Sequence, residues 1–165
     1  MTTIASVRFF DIVLWLHITS VVIAFGVMFT YPVIVPLTVR NAPRQVAWLH
    51  DMQAALGRMV VTPAAALVLI TGIYLASDAD VFSKWWVAVP LIAILLILGL
   101  GGAFFAPRDR KLAELARRDI AAAGDGQVVF SEEYDDLGRQ VGTVGAFVVL
   151  LVVIVIFVMV TGPLW

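Results

Sequence analysis

The chain contains no cysteine. Disulfides, thiolate metal sites, iron–sulfur clusters and cysteine nucleophiles are therefore excluded together, and cysteine usage leaves the redox compartment open. Charge is also scarce: 14% of the 165 residues are Asp, Glu, Lys or Arg, against about 25% in soluble proteins. The charges nearly cancel, to a net of -1 with a pI near 6.0, so there is no basic footprint for nucleic acid. No HExxH, Walker loop, GxSxG or GxGxxG motif occurs, which removes the motif-bearing enzyme classes. Internal repeats and low-complexity tracts are lacking as well.

What remains is apolar. Hydrophobic residues make up 62% of the chain and the mean hydropathy is +1.01, values that define a polytopic membrane protein with room for one domain. Phe9 to Tyr31 is a run of bilayer length. As a helix it covers about 35 Å, against about 30 Å of hydrocarbon. Only Arg8 precedes this run as a basic residue and the apolar core is too long for a cleaved signal, so the first helix is expected to be retained. Pro32 and Pro36 are expected to kink or end it.

Further spans are expected at about 60–76, 87–106 and 141–160, the third entered past Lys84-Trp85-Trp86, a charge-and-aromatic interface anchor, and left at Pro107. Between them lie helical extensions at about 37–59 and 107–140. Asn41 is a candidate cap for the first extension and Ser131 for the last helix, whose first turns hold Glu132, Glu133, Asp135 and Asp136. Gly124-Asp125-Gly126 breaks the middle extension. Its basic face and the acidic start of the last helix suit either a paired helical cap or a solvated surface next to lipid headgroups. Gly138, Gly142 and Ala146 form a small-xxx-small seam on the last helix, a packing signal that does not name its partner.

Nine of the eleven Lys and Arg residues fall in the two longer connections, and only Arg8 and Lys84 on the other side. Both connections should be cytoplasmic and both termini outside.

His17 lies near the middle of the first span, on a face with Val13, Ser20, Val21, Ala24, Met28 and Tyr31; Thr19, Gly26 and Thr30 lie opposite, so two protein-facing sides are expected. An ionisable group at that depth costs several kcal/mol unless it turns inward and finds a partner. Three readings stay open for it: a neutral imidazole bonded to a hydroxyl, an axial ligand to haem or another metal, or a proton relay. His50 falls on the first extension, too far from His17 for the two to sandwich one iron, and reads as a surface or cap histidine. The five methionines are scattered and form no copper box with His17. Spans two to four carry no deep carboxylate or lysine, against the needs of a cation channel or proton-coupled transporter.

The stretches LHITSVVIAFGVMFTYP, TPAAALVLITGIYL, KWWVAVPLIAIL and APRDRKLAEL resemble an uncharacterised family of four-helix bacterial integral membrane proteins related to the copper-resistance D membrane domain and to HemJ. The resemblance implies b-type haem on a first-helix histidine, the position matched by His17. HemJ-like proteins also carry a functional lysine after a tryptophan early in the third helix. Here Trp85-Trp86 is followed by Val87-Ala88-Val89-Pro90, with Lys84 ahead of the tryptophans, a departure that counts against protoporphyrinogen oxidation.

The expectation is thus an all-helical, four-span bundle in the lipid bilayer. It either binds haem b through His17 in a redox-associated role, or serves as a non-catalytic scaffold or accessory subunit in a homo-oligomer or larger membrane complex. The lack of native cysteine makes the orientation directly testable. A single cysteine at Ser83 should react with a membrane-impermeant maleimide in spheroplasts, and one at Ala122 only after the membrane is opened; the reverse order would invert the topology.

Overall fold

The computed structural model describes residues 7–162, and these form helices joined by short turns, with no strand among them. The helices are α1 (Phe9–Gly26), α2 (Tyr31–Asn41), α3 (Val46–Leu56), α4 (Thr62–Asp78), α5 (Trp85–Leu100), α6 (Ala106–Ala123) and α7 (Glu132–Thr161). Several run into one another, giving four helical rods long and apolar enough to cross a membrane: Phe9–Asn41, Pro43–Asp78, Trp85–Ala123 and Glu132–Thr161.

The helices run on through the prolines: Pro32 and Pro36, expected to kink or end the first helix, lie within α2, and Pro107, expected at the exit of the third span, lies in the first turn of α6. A 3-10 turn at Met28–Thr30 precedes Pro32, which sits in the first turn of α2, where its missing N–H is not needed. The other two junctions share one device. A π-helical turn at Gly57–Val61 comes just before Pro63, and another at Gly101–Phe105 just before Pro107. A proline ring crowds the carbonyl of the preceding turn, and widening that turn relieves the clash while the helix continues. Asn41 is the last residue of α2 and caps nothing; the break falls at Ala42, whose backbone leaves the helical region. At the other predicted cap the Ser131 hydroxyl accepts the Tyr134 N–H as expected.

In the apolar half, α1 packs along α4, α4 along α5 and α5 along α7. Ala24, Phe25, Ala64, Ala65, Val68, Ile94, Ile97, Val148 and Val152 fill the centre. Large apolar side chains, including Trp15, Ile70, Ile92, Leu150 and Phe157, are exposed around it, the arrangement expected where the solvent is lipid. Only one side of α1 faces protein, since Gly26 and Thr30 are exposed.

At the basic end α3, α6 and the start of α7 form a cap with its own core of Val46, Ala47, Leu112, Leu115, Ala116 and Tyr134. Ion pairs Arg117–Asp51, Arg118–Glu133 and Lys111–Glu133 cross its surface. All are about half exposed, so each contributes roughly 0–1 kcal/mol and the apolar core dominates. Arg44 donates to the carbonyls of Gly124 and Gly126, holding the loop that Gly124 begins with φ 53°.

His50 is buried in this cap at 3% exposure. Its Nδ1 lies 2.9 Å from Gln53 Oε1 and its Nε2 2.9 Å from the Tyr134 hydroxyl. The amide oxygen can only accept, so Nδ1 carries the proton and Nε2 accepts from Tyr134. Burial holds this imidazole below its ordinary pKa of 6.5. As pH falls below about 6.5 the unfolded chain takes up a proton that the folded cap refuses, so the stability present above that pH declines in acid. Thermal unfolding in detergent should drop in temperature from pH 7 to pH 5, and His50→Gln should flatten that drop while lowering stability at pH 8.

Candidate functional site

The site begins with two helix faces of small residues. Ser20 and Ala24 on α1 are buried, as are Ala64, Ala65, Val68 and Thr71 on α4. Their three- and four-residue spacing makes one continuous strip on each helix, and small side chains let the two backbones approach closely. His17 lies one turn before Ser20 on α1, at the level of Thr71 and Gly72.

Its Nδ1 is 2.9 Å from Thr71 Oγ1. The Thr71 hydroxyl donates its one proton back to its own helix, at the carbonyls of Leu67 and Val68, so towards His17 it can only accept. Nδ1 therefore bears the imidazole proton. The Val68 backbone, one turn before Thr71, also bonds the imidazole, and no side chain among the described residues bonds Nε2. Gly72 makes room for the ring: a Cβ there would lie 3.1 Å from His17 Cε1 and 3.7 Å from Nδ1.

The imidazole lines a cleft of about 730 Å³ between α1, α4, α5 and α7, on the end of the bundle away from the cap. Leu14, Ile18 and Val22 line it from α1, Pro90, Ile94 and Ile97 from α5, and Val152, Val155, Ile156 and Met159 from α7. The wall is apolar apart from His17, with the Trp86 ring near the mouth. Several lining side chains are also open to the surround, Ile18 at 54% and Val160 at 68% exposed. The chain near Met28–Asn41 touches α7, whereas α1 itself does not pack along it. The cleft thus gapes sideways between α1 and α7, toward lipid.

The two histidines are not brought together: both nitrogens of His50 are engaged inside the cap, and the cleft-lining histidine is His17 alone. No group of three or more His, Asp or Glu side chains converges among the described residues. Thr71 and Gly72 were missed by sequence reading. Their signal is a hydroxyl-glycine pair inside an apolar span, legible only once α1 and α4 are known to pair. At the cap boundary the Tyr31 hydroxyl is sealed with no hydrogen-bond partner, with the Asp109 carboxyl the charge that bears on it. Burial pushes Asp109 up to about 6.

These features define a four-helix polytopic membrane protein whose bundle encloses an apolar, imidazole-bearing cleft. A family described as "Predicted integral membrane protein (DUF2269)" matches residues 11–163, and the chain belongs to that family. No curated protein and no solved structure matches the chain.

The notch at Gly72 gives a graded test. Gly72→Ala asks the ring to yield by a few tenths of an ångström and should be nearly neutral. Gly72→Val should overpack the contact and cost about 1–3 kcal/mol, read as a lower unfolding temperature in detergent. Equal stability for both variants would contradict the contact.

Proposed function

We propose that this chain is a haem b-binding, redox-associated protein of the bacterial inner membrane, with His17 Nε2 as the iron's axial ligand and both termini outside the cytoplasm. The observation that carries the reading is a cleft-lining imidazole whose Nδ1 is held by Thr71, which leaves Nε2 as the nitrogen to offer a ligand. Ligating histidines typically donate the other ring N–H to a partner that sets tautomer and orientation, and Thr71 supplies that acceptor. The cleft's volume falls within the roughly 300–1,000 Å³ of small-molecule and cofactor sites. Its apolar walls suit a macrocycle. Bound haem would supply one-electron chemistry. The chain's part is to hold the imidazole, exclude water and keep the pocket dry. The likeness to HemJ supports the haem reading, and the missing third-helix lysine withholds the oxidase activity from it.

Detergent-purified protein, as isolated or after haem addition, should show a Soret band that His17→Ala removes while the folded helical content is kept. A protein with no such band under either condition would sink the proposal.

One observation favours a second reading, a non-catalytic scaffold. A Cβ placed at Gly138 or Gly142 meets nothing within 4 Å and Ala146 is exposed, so the seam on α7 is unfilled within one chain. On that reading Gly142→Leu disrupts assembly, measured by size-exclusion with light scattering, and His17→Ala alters stability alone.

A further inference from the structure

Resting on the haem reading, we infer that His17 is the one ligand the described residues would offer the iron, so that a bound haem would be left open to a small uncharged molecule arriving from the lipid. Two residue types lining the cleft can ligate iron, histidine and methionine, and each occurs there once, as His17 and Met159.

Their depths differ. α1 runs inward from Phe9 and α7 runs outward to Thr161, so His17 lies eight residues, about 12 Å, below the start of α1. Met159 lies two residues, about 3 Å, below the end of α7. Met159 stands at the Trp86 end of the cleft, close before Gly162, which abuts the Trp86 side chain. Ala93, Ile94 and Val152 line the cleft from α5 and α7, all buried and none able to ligate. His50 is held by Gln53 and Tyr134 in the cap, and Met28, eleven residues further along the first rod than His17, is about 16 Å away.

The route to the open position follows from the same geometry. The gap between α1 and α7 is edged by Ile18, Val22 and Ile156, each exposed on the lipid-facing side. An anion crossing it must leave water without gaining a partner, whereas a neutral diatomic molecule loses little.

The test uses the full-length, haem-loaded protein in nanodiscs, with spectroscopic readouts. The ferric form should give a high-spin electron paramagnetic resonance signal. Carbon monoxide should shift the Soret band of the whole ferrous population, and millimolar azide should leave the ferric spectrum unchanged. Met159→Leu and His50→Ala should keep these spectra, and His17→Gly should lose the haem and regain it with added imidazole. A low-spin ferric signal with no response to carbon monoxide overturns the inference while sparing the haem reading. Conversion from low to high spin in Met159→Leu overturns it and names the second ligand. Ready binding of azide overturns the lipid route. No Soret band under any condition removes the haem reading, and this inference with it.

Discussion

Hydrocarbon offers no hydrogen-bond partners, so every backbone polar group in the spanning helices has to be satisfied by the chain itself, and polar side chains there gain from doing the same. The threonines show the usual solution. Thr38, Thr143 and Thr161 each donate to the carbonyl four residues back on their own helix, and Thr62 to the carbonyl of Gly57. These bonds make each helix self-sufficient and tie it to nothing else. Thr71 donates in the same way but also accepts from His17. That second bond is the polar link between α1 and α4, and it fixes the tautomer of the imidazole as well as its position. The Nδ1 contact of the imidazole thus follows from a threonine that has spent its proton on its own helix.

The two ends of the bundle are held by different forces. At the basic end the α3–α6 pair and the start of α7 close around Leu112, Leu115 and Tyr134. This core is sealed from water, so the ordinary hydrophobic effect clamps the rods together there. Between apolar helices in lipid that driving force is absent, and contact depends on shape. Small residues let α1 and α4 meet closely. No comparable strip joins α1 to α7, and the two separate beyond the level of the first-rod bend. A clamp at one end and poor fit at the other is a sufficient cause for a cleft that opens toward lipid.

The parts of the fold that depend on composition and period were legible in the sequence. Four apolar runs and the inward face of His17, with Val13, Ser20 and Ala24, match the buried residues of α1. The cap stripe of Leu112, Leu115 and Ala116 likewise matches its core. Proline was the signal that said least. Pro32 and Pro36 were read as a kink or an end and Pro107 as the exit of a span; the rods run on through all three, the turn ahead of Pro32 tightening and the turns ahead of Pro63 and Pro107 widening, adjustments that no residue pattern announces. The partner of His17 was hidden for another reason. A histidine and a threonine separated by 54 residues meet only through the pairing of two helices, and spacing rules act within one helix. The burial of His50 was hidden likewise, since Tyr134 comes from α7.

The haem and scaffold readings place their demands on different surfaces of α7. Val148, Val152, Val155 and Met159 recur every three or four residues toward the interior, the first two buried and the last three lining the cleft. Gly142, Ala146, Leu150, Val153 and Phe157 are exposed on the outside, rotated by roughly a third of a turn. A partner helix seated on the outer seam would touch neither the imidazole nor the cleft wall, and a ligand in the cleft would leave the seam as it is. α7 also packs along α5, so its inner face is fixed by the bundle while its outer seam is not. The two demands are therefore separable, and a change on one face leaves the residues of the other in place.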